Sequence, residues 1–226
     1  MNMNADFSER RVKMVDGQVR TTDVTDAAIL SAMLSVPREE FVDNGQRELA
    51  YIDEDLRYGV TADADQPRYL MEPSPFAKLA QLAEILPGDF VLDVGCGTGY
   101  SSAVLSRLAS SVIALESDTT LAAKASSTLS SLGYDNVVVV SAALAAGYPS
   151  QGPYDVIFVG GSVEQVPEAL LGQLKEGGRL VVVEGRGNAG VASVFLNAGS
   201  VVTARRAFNA AVKPLPGFNR THEFEF

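Results

Sequence analysis

From about residue 74 onwards, short and nearly continuous apolar runs alternate with longer stretches of mixed polarity. The runs at 90–94, 112–116, 136–141, 154–160 and 178–184 read as strands. The stretches at 99–108, 119–132 and 165–175 carry apolar residues at helical spacing. Strand and helix in regular succession predict an α/β fold with a parallel sheet. Two later runs, 191–196 and 201–208, flank Asn197-Ala198-Gly199-Ser200, a hairpin signal. They are expected as antiparallel strands at one sheet edge. The whole predicts a Rossmann-like, doubly wound, mostly parallel seven-stranded sheet with a helical N-terminal extension.

The first part of the chain follows a different pattern. Val12, Met14, Val15 and Val19 recur among charges, a modest helical signal. Thr25 and Asp26 are suitable to open a helix over Ala27-Ala28-Ile29-Leu30, and Pro37 stops it. The region 57–75 reads as loop, with Gly59, Pro67, Pro73 and Pro75. Long ordered loops of this kind often wall a substrate site. Ser74-Pro75 then opens a helix to about Leu86, with Phe76, Leu79, Ala80, Leu82, Ala83 and Leu86 on one side. The expected division is an extension and loop over 1–73 and a core over 74–226, forming one compact unit.

The candidate chemistry lies at the end of the first core strand. Val91-Leu92-Asp93-Val94 runs into Gly95-Cys96-Gly97-Thr98-Gly99-Tyr100, and a helical segment follows at once. Strand, glycine turn and helix bring backbone close to a nucleotide-like ligand in doubly wound folds. Tyr100 stands where a dinucleotide fingerprint needs its third glycine. Asp93 followed by Gly95-x-Gly97-x-Gly99 resembles instead the first motif of S-adenosylmethionine-dependent methyltransferases. That resemblance implies that the glycines admit the methionine portion and that Asp93 helps hold its amino-acid end. Glu116 closes the next strand roughly 20 residues past the turn, placed to accept from both ribose hydroxyls. Ser117 adjoins it.

Composition narrows the partners. The net charge is −10, and the 18 lysines and arginines are scattered, which argues against a nucleic-acid partner. No stretch approaches the roughly 20 apolar residues of a membrane span. The first 20 residues are polar and mixed in charge, unlike a signal or transit peptide, and a cytoplasmic location is expected. The one cysteine, Cys96, allows no internal disulfide, and it reads as a small residue fitting the turn. The one histidine, His222, leaves no basis for a histidine-built metal site or a triad, so no metal is expected. Methyl transfer to a carboxylate needs no base, since a carboxylate is already ionised at neutral pH. The chain therefore leans towards an ionised acceptor, or towards Asp or Glu as base.

Over almost its whole length the chain resembles the protein-L-isoaspartate O-methyltransferases. The matching residues are Val36-Pro37-Arg38-Glu39-Glu40-Phe41-Val42, Ala50-Tyr51-x-Asp53, and the glycine turn through Tyr100. Further on come Gly147-Tyr148-Pro149, Gly152-Pro153-Tyr154-Asp155, Val166-Pro167, Gln173-Leu174 and Gly177-Gly178-Arg179-Leu180-Val181. The resemblance implies S-adenosylmethionine as cofactor, a peptide or protein carrying a carboxylate acceptor as partner, and a role in protein repair. It also marks two departures. The family's Thr-Ile-Ser-Gln-Pro loop is Asp63-Ala64-Asp65-Gln66-Pro67 when counted from Leu56 and Gly59, which sets Asp65 at the serine. Counted backwards from the glycine turn it is Tyr69-Leu70-Met71-Glu72-Pro73, which sets Met71 there. The family's Gly-Asp-Gly, whose aspartate contacts the adenine, is Ala142-Ala143-Leu144. Three readings stay open: isoaspartyl methylation, methylation of another acceptor, and a cofactor-binding or interaction module without transfer. If Asp65 holds the serine position, its charge opposes an incoming carboxylate.

Overall fold

The structure, a computed structural model, describes residues 3–63, 65–199 and 201–218; His222 lies outside them. Helix α1 (Met3–Met14) continues into a wider π-helical turn, Val15–Val19, and a 3-10 turn, Arg20–Thr22. Val15 and Val19 are buried on one side of that turn. Asp26 caps α2 (Ala27–Ser35), accepting from the amides of Ala28 at 2.8 Å and Ile29 at 3.0 Å. Two 3-10 turns follow, Arg38–Phe41 and Asn44–Leu49. Arg11 donates to Glu39 and to the Tyr51 hydroxyl, tying α1 to both.

The loop region contains a short ladder, β1 (Leu56–Arg57) against β2 (Tyr69–Leu70), antiparallel. Helix α3 (Pro73–Leu82) starts directly after it and is shorter than the apolar pattern suggests. Its end is fixed from far away. Arg179 donates to the carbonyls of Ala83 and Glu84 and pairs with Asp89 at 2.6 Å, and Glu84 turns the chain at φ 48°. Phe76, Ala77, Leu79 and Ala80 are buried, each large side chain contributing about 1.5–3 kcal/mol.

Then come β3 (Phe90–Val94), α4 (Tyr100–Leu105), β4 (Ser111–Glu116), α5 (Thr119–Ser131), β5 (Val137–Ser141), β6 (Tyr154–Val163), α6 (Glu168–Leu171), β7 (Leu174–Glu184), β8 (Val191–Asn197) and β9 (Val202–Asn209). Among the described residues, seven strands form one sheet in the order β5-β4-β3-β6-β7-β8-β9. The first five are parallel, and β8 and β9 are antiparallel at one edge, as the hairpin signal implies. Two further helices fall short of expectation, and α4 ends at Leu105 rather than 108. The helix expected over 165–175 is confined to Glu168–Leu171 between Pro167 and Gly172, because β7 begins early, where Leu174 pairs with Tyr154.

The apolar core is continuous from the extension into the sheet. Met14, Val19, Met33 and Phe41 share one cluster with Phe76, Leu79, Tyr100 and Phe158. A second cluster, including Leu92, Leu115, Ile157 and Leu180, fills the other face. No helix among the described residues is long and apolar enough to cross a membrane.

Candidate active site

The chain leaves β3 to build β4 and β5 on one side, then returns to build β6 on the other. The crevice beyond the carboxyl ends of β3 and β6 is the switch point at which such folds bind ligands. Gly95 turns out of β3 at φ 83° and Gly97 follows at φ 58°, conformations that glycine adopts without steric penalty. A methyl group on Gly97 would also strike the Tyr58 side chain. Gly99 leads into α4, and Tyr100 begins it.

Asp93 is fully buried at the end of β3. Its Oδ2 accepts from the hydroxyls of Ser101 and Ser102, both at 2.6 Å, while Oδ1 is buried without a partner. Burial raises its pKa from 3.8 to about 6; the two serine bonds oppose the rise, and the Glu116 charge adds to it. Cys96 is buried beside it. Burial, reinforced by Glu116 and Asp93, pushes its thiol well above the ordinary value, which leaves it unreactive.

Glu116 ends β4 with no exposed surface. Its carboxylate accepts from the amides of Gly97 and Ser117, both at 2.8 Å, and of Asp118 at 3.0 Å. It also forms a two-pronged ion pair with Arg68, whose Nη2 lies 2.8 Å from Oε2. Arg68 was not singled out by the sequence. An arginine closing the stretch 58–68, whose other charges are Asp63 and Asp65, was the available signal. Arg38 reads in the sequence only as part of a motif, yet it is fully buried. It stacks 4.6 Å from the Tyr100 ring centroid and donates to the carbonyls of Ala50 and Met71, both at 2.7 Å.

Met71 stands between β2 and α3 and lines the inner cavity with Tyr69, Cys96 and Tyr100. Asp65 is exposed and lines none of the cavities around the crevice; its amide donates to Asp63 at 3.0 Å. Asp65 therefore stands outside the cavity that Met71 lines. The added chain before Tyr69 folds outwards, with the Ala62 amide donating to Asp118 at 2.6 Å. Ser117 is exposed at the rim, where it lines an outer cavity of about 230 Å³. Ala143 is exposed at the entry to the 3-10 turn Leu144–Ala146, whereas the Leu144 side chain is buried in the second core cluster. No group of residues able to hold a metal ion occurs among the described residues.

The doubly wound sheet, glycine turn and two strand-end carboxylates define an S-adenosylmethionine-dependent methyltransferase. The family model described as protein-L-isoaspartate(D-aspartate) O-methyltransferase matches residues 9–207. The chain belongs to that family. It is 40% identical over 79% of its length to a protein-L-isoaspartate O-methyltransferase of Koribacter versatilis, covering 78% of that protein. Protein-L-isoaspartate O-methyltransferase 2 of Pelobacter propionicus is 41% identical over 78% of this chain and 76% of its own. A solved protein-L-isoaspartate O-methyltransferase superposes with a TM-score of 0.80 at 29% identity, covering 92% of this chain and 66% of that one.

The cofactor of the chain is S-adenosylmethionine, and the fixed part of the crevice fits it. Asp93 presents an unpartnered buried acceptor of the kind a ligand's donors satisfy. Glu116 faces the same crevice, with Arg68 across it.

Proposed function

We propose that the chain methylates the carboxylate of isoaspartyl residues in peptides or proteins, at a rate limited by Met71. In this reading Asp93, Gly95, Cys96, Gly97, Gly99 and Tyr100 hold the methionine portion of the cofactor. Glu116 and Ser117 hold the ribose, and Ala143 and the Leu144 backbone border the adenine. When bound, S-adenosylmethionine supplies a methyl group on a sulfonium, ready for in-line transfer.

The observation that carries the carboxylate reading is the lining of the inner cavity. Cys96 is pushed up by burial, and burial likewise takes Tyr58 to about 12, so neither accepts a proton at neutral pH. An acceptor that arrives ionised needs no base, and a carboxylate is such a group. Tyr69, Met71 and Tyr100 are then left to orient the acceptor and to exclude water, and proximity supplies most of the rate. Met71 offers no hydrogen bond where the family's loop carries a hydroxyl.

Steady-state methylation of one isoaspartyl peptide tests this. The wild type should turn over slowly. Met71→Ser should be faster by about tenfold to a hundredfold, since a hydrogen bond to a charged group contributes about 1.5–3 kcal/mol. Asp65→Ser should match the wild type. Equal rates for wild type and Met71→Ser would remove the assigned role of Met71. Transfer to other acceptors but never to the isoaspartyl peptide would favour a changed substrate.

A further inference from the structure

Arg68 stands between the two halves of the crevice. One prong of its guanidinium reaches the Gly95 carbonyl, a wall of the inner cavity, at 3.3 Å, and both prongs engage Glu116. Its far side lines the outer cavity together with Ser117 and Asp118. Arg68 is 3% exposed, so the pair is screened little by salt. The inner cavity that remains is only about 20 Å³, room for a water-sized group, whereas ligand pockets run to several hundred. The same carboxylate is the one assigned to the ribose. An arginine fork and a pair of ribose hydroxyls cannot use its two oxygens at once, because the fork engages both oxygens and the amides of Gly97, Ser117 and Asp118 crowd the same carboxylate.

We propose that Arg68 is an internal plug: its side chain occupies Glu116 in the resting enzyme, and the cofactor binds by displacing it. The proposal rests on the reading of Glu116 as the ribose acceptor. The backbone of Arg68 is held, since its carbonyl accepts from the Tyr58 amide at 3.0 Å. The side chain, with its rotatable stem, can swing without the backbone moving. Asp63 and Asp118 line the outer cavity beside it and offer the displaced guanidinium new carboxylate partners. Leu215, packed against Gly95 from the C-terminal segment, closes the same crevice from above.

The plug couples two quantities with opposite signs. Removing Arg68 leaves Glu116 buried without its cation, so the ligand-free protein loses stability. It also frees the ribose acceptor. The apparent Kd scales inversely with the unplugged fraction, so a plug closed in about 90% of molecules weakens binding about tenfold. Calorimetry with S-adenosylhomocysteine on wild type, Arg68→Ala, Arg68→Gln and Arg68→Lys reads one quantity, and thermal unfolding without ligand reads the other. The alanine and glutamine variants should bind about tenfold tighter or more, with Arg68→Lys in between, while all three melt lower than the wild type. Should the alanine variant fail to fold, the glutamine variant makes the same comparison. A merely structural arginine would lower melting and weaken binding together, and that outcome, or unchanged affinity, overturns the plug while leaving the cofactor site intact. Absence of binding by wild type and folded variants alike would overturn both the plug and the assignment of Glu116.

Discussion

Asp93 is a carboxylate that the fold tolerates rather than favours. It is fully buried, its Oδ1 has no partner, and burial takes its pKa from 3.8 to about 6. A carboxyl whose folded pKa lies above its unfolded one favours folding while protonated. That stability is fully present below about pH 4 and is lost as the pH rises through about 6. A shift of about two units corresponds to about 3 kcal/mol. Asp93→Asn keeps an acceptor for Ser101 and Ser102 but carries no charge. It should therefore gain about 3 kcal/mol over the wild type between pH 4 and pH 8 while binding the cofactor less well. Denaturant curves at the two pH values check this, and wild-type and variant curves that stay parallel would show that Asp93 is not the titrating group. The residue was legible in the sequence as a strand-end acid before glycines. Its strain was not, because that depends on the burial that other elements impose.

At the scale of elements, the outward loop before Tyr69 is held by the residue that starts α5. Asp118 Oδ1 accepts from the amides of Thr120 at 2.9 Å and Leu121 at 3.0 Å, and Oδ2 accepts from Ala62. Asp118→Ala should lose about 1 kcal/mol of cap energy and also release the loop. Faster amide exchange at Ala62 together with a lower melting temperature is the expected result; unchanged exchange there would mean that the loop is held instead where the Asp43 carboxylate accepts from the Gly59 amide at 2.8 Å. Elements of this kind divide by the range of the forces that set them. The strand Phe90–Val94 was legible to the residue, and the strands of β4 and β5 and the helix α5 to within one, because apolar runs and a local cap define them. The end of α3 was not, because Arg179 fixes it from 95 and 96 residues away. The plug was equally hidden, since Arg68 and Glu116 are 48 residues apart. The choice between Asp65 and Met71 depended on β1 pairing with β2, a ladder too short to leave a pattern.

At the scale of the whole molecule, the net charge of −10 is not spread evenly around the crevice. Asp53, Glu54 and Asp55 sit near Glu72, whose pKa is raised first by burial and then by those three acids, with Lys213 opposing. Asp55 is also raised by burial and lines the mouth between Arg68 and Lys213. Asp63 and Asp65 add exposed charge on the outer loop. A peptide approaching this face meets a negative field whatever its reacting carboxylate does later. Cationic flanking residues should therefore speed encounter and anionic ones slow it, by about tenfold between matched peptides at low ionic strength. Because the Debye length falls from about 30 Å at 0.01 M salt to about 3 Å at 1 M, the preference should shrink steadily as salt is added. It should appear in kcat/KM and leave kcat nearly unchanged, since the flanks steer approach and do not touch the transferring methyl group. Two isoaspartyl peptides differing only in lysine or glutamate flanks, each assayed across a salt series, make the comparison. Equal kcat/KM at low salt, or a preference that survives high salt, would place selectivity in direct contacts rather than in the field of the acidic face.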